Sequence, residues 1–147
     1  MTTYEVDPVN KALRLPPKSL TIVGFGFARN RTDDPWFRLR DLNEALYGTS
    51  ARHLIAPSRS GYSEALTDME AEGVVDTKLA ARGEPGRRGR LARVTPDGED
   101  VLLENVVYSV THRGLTVPEL LHIPKAVNAV LYKSDFPARL FNAVSGQ

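Results

Sequence analysis

The sequence predicts an α+β chain that is mainly helical, with one two-stranded hairpin among amphipathic helices and further helices toward its C-terminal end. Three observations carry that expectation. Tyr62, Ala65, Leu66, Met69 and Gly73 recur at spacings of three and four, the period of one helical face. Two short runs, Val74 to Ala80 and Arg90 to Thr95, flank Gly83-Glu-Pro-Gly-Arg-Arg-Gly89, whose three glycines and one proline make a turn. Thr95-Pro-Asp-Gly-Glu99 then opens a helix, with a threonine suited to the N-cap and a proline suited to the first helical position.

The remaining elements follow in chain order. Residues 1–17 read as an N-terminal arm, since Pro8, Pro16 and Pro17 discourage regular structure. Lys18 to Arg29 is ambiguous: Ile22, Val23, Phe25 and Phe27 favour a strand, Gly24 and Gly26 weaken either assignment, and the whole pattern calls for a buried helix. Arg29 to Pro35 is a polar loop. Leu39, Leu42, Ala45 and Leu46 predict a helix over 38–47 that ends near Gly48. Residues 49–59 are a connector, with room for a turn at Ala51 to Ile55. Ser60 can cap the helix that follows, and Gly73 lets the chain leave it by a left-handed turn. The helix from Pro96 runs to about Thr111 on Val101, Leu102, Asn105, Val106 and Ser109. Beyond Gly114, short helices are expected around 117–121, 124–133 and 137–144, broken by Pro118, Pro124 and Pro137.

With 147 residues, the chain is long enough to bury a core without staples. It divides by expectation into the arm at 1–17, a central unit at 18–96 and a helical region at 97–147 for dimerisation or packing. It contains no cysteine, which excludes a disulfide scaffold, a cysteine-based zinc site and a thiol nucleophile. Residues 1–8 have neither a basic nor an apolar signal region, and the longest apolar run, Leu20 to Ala28, is too short to cross a bilayer. No membrane association and a cytoplasmic location are therefore expected. Net charge is +1, so its distribution matters more than its sum. Five arginines (82, 87, 88, 90, 93) stand between positions 82 and 93 against Glu84, whereas positions 64–76 carry five acids and no base.

A helix, a strand, a Gly/Arg-rich tip and a returning strand outline a winged helix-turn-helix, with a recognition helix at about 60–73 and a two-stranded wing at about 80–93. Two phrases resemble the PadR/MarR-like winged-helix regulators. One is the helix end Tyr62, Leu66, Met69, Glu70, Glu72, Gly73 and Val74; the other is Gly86-Arg-Arg-Gly-Arg90 followed by Val94-Thr-Pro-Asp-Gly98. The resemblance covers some 35 to 40 residues closely. It implies a homodimer on a pseudo-palindromic operator, with the helix in the major groove and the wing near the backbone. The chain departs from the pattern in two places. Glu64 and Asp68 lie in the presumed recognition helix, and the connector 48–59 is long.

Candidate DNA-binding residues are Arg59, Ser60, Tyr62, Ser63, Thr67, Arg87, Arg88 and Arg90. Arginines at the hairpin suit phosphate oxygens, and hydroxyls near a helix start suit phosphates or base edges. The spacing of Tyr62 suits core packing equally. Arg29, Arg31, Arg38 and Arg40, balanced by Asp33, Asp34 and Asp41, read as ordinary surface, and Trp36 reads as a core or interface anchor. Gly24-Phe-Gly26 lacks the third glycine of a dinucleotide loop, and His53, His112 and His122 lack metal-ligand spacing. No nucleophile elbow or phosphate-binding loop is present, so neither an enzyme nor a cofactor is expected. The leading expectation is a sequence-specific, dimeric regulator that binds double-stranded DNA. The alternative is a winged-helix module that binds protein within a larger transcription or phage/plasmid assembly, favoured by the acids of the third helix.

Overall fold

The computed structural model describes residues 14–47, 61–79, 90–114, 116, 121 and 125–145. These residues form a mainly helical α+β architecture: α1 (Pro17–Arg29), α2 (Leu39–Tyr47), α3 (Tyr62–Ala71), β1 (Val75–Leu79), β2 (Arg90–Val94), α4 (Pro96–Arg113), α5 (Lys125–Lys133) and α6 (Phe136–Ser145).

The ambiguous segment is a helix, and it forms the centre of the molecule. Every residue from Ser19 to Ala28 is buried. A segment apolar all round is a buried helix rather than a surface one, and burial here overrides the β preference of Thr21, Ile22 and Val23. Pro17 at the first turn sets the helical φ, and the Thr21 hydroxyl donates to the Pro17 carbonyl at 2.9 Å. Helices α3, α4 and α5 and strand β2 pack around α1. The two glycines are packing devices rather than breakers. A Cβ on Gly26 would overlap the Val94 side chain, and one on Gly24 would press on Leu121 at 3.1 Å. Phe25 meets Phe37 edge-on at 5.1 Å, and Phe27 meets Phe136 edge-on at 5.3 Å. Alternate residues of α1 thus hold the hairpin side and the C-terminal helices.

The hairpin is antiparallel, and its register pairs Val75 with Val94, Asp76 with Arg93, Thr77 with Ala92, Lys78 with Leu91 and Leu79 with Arg90. Its first strand begins at Val75, within the expected run Val74 to Ala80. Val75, Ala92 and Val94 turn into the core, whereas Asp76, Lys78 and Arg93 share the opposite face. Phe37 adds a single bridge to β2, exchanging backbone hydrogen bonds with Ala92 at 2.9 and 2.8 Å. Phe37, not Trp36, is the buried aromatic of that pair.

Local cap chemistry fixes the boundaries. Asp41 reaches back to accept from the Arg38 amide at 2.9 Å at the start of α2. Helix α3 is preceded by Gly61 at φ 83° with no side-chain cap; Ser60, the expected cap, lies outside the described residues. At its end the Val74 amide donates to the Met69 carbonyl at 2.9 Å and the Gly73 amide to Glu70 at 3.1 Å, with Gly73 at φ 75°. That is the paired closure for which glycine is favoured. Thr95 caps α4 by accepting from the Gly98 amide at 2.9 Å. Its own amide donates to the Val74 carbonyl at 3.1 Å, which ties the start of α4 to the exit of α3. Gly98 sits so close to that carbonyl that a Cβ would overlap it.

One apolar cluster joins α1, α3, the hairpin and α4 to Leu121, Leu131 and Phe136. These three residues of the C-terminal region pack back on the rest of the chain. The arm expected at 1–17 lies outside the described residues up to residue 13. Its last part is held down: Leu15 is buried, and its amide donates to the Asn105 side-chain oxygen at 3.0 Å.

Candidate nucleic-acid interface

The candidate interface is built on α3 and the start of β2. Leu66 and Met69 anchor α3 in the core. That leaves Glu64, Thr67, Glu70, Ala71 and Glu72 exposed. Ser63, Thr67 and Arg90 come together. The Arg90 guanidinium donates through Nη1 to the Thr67 hydroxyl at 2.9 Å and through Nη2 to the Ser63 carbonyl at 2.8 Å. Thr67 in turn donates to that same carbonyl at 3.1 Å. The register explains the meeting, because Arg90 follows Ala92 and Val94 along the inward face of β2, one step beyond the edge of the core.

Among the described residues Arg90 has no carboxylate partner. Its neutral acceptors fix the guanidinium without cancelling its charge. Tyr62 is half-buried against the core, with Lys18 Nζ 5.9 Å from its ring centre. Arg59, Ser60, Arg87 and Arg88 lie outside the described residues, as do the wing tip, the connector 48–60, His53 and His122.

A second group of arginines corrects a sequence expectation. Arg31 does not pair with the nearby Asp33 or Asp34. It is fork-bonded to Glu99, donates through Nη2 to Asp135 at 2.8 Å and lies 3.7 Å over the Phe27 ring. Arg139 donates to Glu99 at 2.7 Å and to Asp100 at 2.9 Å. Asn30 adds a bond to Glu99 at 2.8 Å and one to the Val94 carbonyl at 2.9 Å. Burial pushes the Glu99 carboxyl up, but hydrogen bonds from Arg31, Asn30 and Arg139 outweigh it and hold the group below its ordinary range. Desolvation acts on Asp135 in the same sense, and Arg31 likewise brings it below its ordinary range. Arg29 donates to the Trp36 carbonyl at 2.8 Å.

The third feature has no counterpart in the sequence expectations. Trp36 is half-buried under two cations: Lys78 Nζ stands 4.1 Å and Arg93 Cζ 4.9 Å from its ring centre. Arg93 also pairs with Asp76 at 3.0 Å. The only sequence signal for this cluster is strand alternation, which puts Asp76 and Lys78 on one face opposite Arg93. Beside it a shallow groove of about 390 Å³ runs between Asn30, Pro35, Arg93, Val94, Pro96 and Glu99.

No group of histidine, aspartate and glutamate side chains among the described residues has a metal-binding arrangement. No helix among them is long and apolar enough to cross a membrane. No protein-family model matches the chain, and its comparison with curated proteins and with solved structures yields no match.

Proposed function

We propose that the protein is a winged helix-turn-helix regulator that binds double-stranded DNA as a homodimer, with α3 as the recognition helix and the β1–β2 hairpin as the wing. One observation carries this reading. Arg90, paired with Leu79 at the end of the ladder away from the Val75–Val94 base, is held against α3 by Thr67 and Ser63, and among the described residues its charge has no carboxylate partner. A guanidinium oriented by a helix hydroxyl and a backbone carbonyl, rather than by a carboxylate, is chemistry suited to a phosphate. The element order supports the same reading: one helix, a one-residue pairing at Phe37, two further helices, a hairpin and a long helix. The PadR/MarR-like phrases at 62–74 and 86–98 agree with it and suggest the dimer. Val110, Val130, Tyr132 and Phe141, exposed on α4, α5 and α6, supply apolar surface for a second copy. Such a regulator acts in the cytoplasm, needs no cofactor and performs no catalysis.

A second reading has its own observation. Glu64 on α3 and Glu72 just past its end are exposed, as is Glu70, which accepts from the Thr77 hydroxyl of β1. Carboxylates in a DNA groove are repelled by phosphate, so these acids suit a protein partner in a larger assembly. Binding of the purified protein to random-sequence duplex DNA at two salt concentrations, with its mass in solution recorded, separates the two. Salt-sensitive binding by a dimer selects the regulator. No binding at low salt selects the protein-interaction module.

A further inference from the structure

We propose that the outer face of the hairpin, where Trp36 gathers Lys78 and Arg93, is a second track for the phosphodiester backbone of the duplex, separate from the Arg90 contact with α3. The inference rests on the DNA-binding reading and assigns that partner a place on the chain.

Strand alternation sends Lys78 and Arg93 to the face opposite the core. The loop before α2 brings the Trp36 indole beneath them, at 4.1 and 4.9 Å from its centre to the two cations. A long cationic side chain resting on an indole has already lost much of its rotamer freedom, so binding a phosphate orders it at less entropic cost. Among the described residues Lys78 has no carboxylate partner. Arg93 does have one, but both Arg93 and Asp76 are about half exposed, at 43% and 51%. An ion pair that open to water contributes little, and a phosphate oxygen can replace the carboxylate. Beside Arg93 lies a shallow groove lined by Asn30, Pro35, Val94, Pro96 and Glu99, the last with its charge met by Arg31 and Arg139. In contrast, α3 and its end expose the carboxylates Glu64, Glu70 and Glu72, of which Glu70 accepts from Thr77 of β1. The cations available to phosphate therefore lie on the hairpin rather than on the outward face of the helix.

Trp36 is the only tryptophan in the chain, so it reports directly on this face. The test titrates the full chain with a short random-sequence duplex at several salt concentrations. It follows the affinity and the Trp36 emission, and it repeats the titration with the double variant Lys78→Gln/Arg93→Gln. Each phosphate neutralised by a cationic side chain steepens the log–log salt slope by about 0.9, so the double variant should be flatter by about 1.8. Trp36 emission should shift as the duplex saturates the unaltered protein. Asp76→Asn, which removes the competing carboxylate, should tighten binding by a factor of about three to ten at low salt. If the double variant fails to fold, Lys78→Gln alone replaces a solvent-exposed lysine and should flatten the slope by about 0.9. Salt-sensitive binding with an unchanged slope in the variants, or an unchanged Trp36 emission at saturation, overturns this inference and leaves the DNA-binding reading standing. Absence of any salt-sensitive binding by the unaltered protein overturns both.

Discussion

The Arg31–Arg139 cluster and the Arg90 site use the same side chain in opposite ways. Arg31 and Arg139 point at Glu99, Asp100 and Asp135, so their charge is cancelled within the fold, and Glu99 is largely buried between them. Arg90 points at a hydroxyl and a carbonyl, so its position is fixed while no carboxylate among the described residues meets its charge. The first arrangement joins α1, α4 and α6. The second orients a cation toward whatever approaches α3. What separates the two arrangements is what each guanidinium meets, carboxylates in one and neutral oxygens in the other.

The largest effect should come from removing the shared carboxylate. Glu99→Ala leaves Arg31, Arg139 and Asn30 facing one another in a partly buried site. Breaking such a network by deleting one partner costs on the order of 3 kcal/mol. A urea unfolding curve should show that loss, and duplex affinity measured where the variant is folded should change little. Next is Gly98→Ala. Its Cβ would overlap the Val74 carbonyl, and backbone can relax only by parting α4 from the end of α3, at about 2 kcal/mol. Thr95→Ala removes the cap of α4 and one tie to Val74, about 1 kcal/mol by the same measurement.

Acid should separate the two regions as well. Glu99 and Asp135 have folded pKa values below their unfolded values. Their contribution is therefore complete above the unfolded carboxylate range and is lost as pH falls through the folded values. Glu104 has the opposite sign: burial, then the neighbouring Asp100, raises its pKa. Its protonated form favours folding at low pH, and that small gain disappears as pH rises through the raised value. Stability measured against pH should thus fall on the acid side in the unaltered protein. In Glu99→Gln the fall should be shallower.

What the sequence made legible follows the range of the interactions. The exit of α3 at Gly73 and the entry of α4 at Thr95–Pro96 were readable because each depends on residues a few positions apart. The Asn105 and Ser109 face of α4 was readable from its helical period. Helix α1 was readable only from the whole pattern, which called for a buried helix there; locally Ile22, Val23, Gly24 and Gly26 disfavour one, and enclosure by α3, α4, α5 and β2 makes it one. Arg31 looked like surface beside Asp33 and Asp34, since its true partners lie 68 and 104 positions away. Of the candidate residues, Thr67 and Arg90 meet through their side chains, whereas Ser63 joins them through its backbone carbonyl, which residue type does not predict. The Trp36–Lys78–Arg93 cluster was not, because it depends on which strand face the loop before α2 covers.

The smallest stability effect should be Arg90→Ala, within about 0.5 kcal/mol, since no buried carboxylate is left unpaired. That contrast supplies the most direct test. Urea midpoints and the salt dependence of duplex binding should be measured side by side for Arg90→Ala and Arg139→Ala. The predicted result is a crossing pattern. Arg90→Ala keeps its midpoint and takes about 0.9 off the log–log salt slope, while Arg139→Ala loses stability and keeps the slope. The account would be contradicted if the two variants moved both quantities alike, or if Arg139→Ala flattened the slope and Arg90→Ala did not.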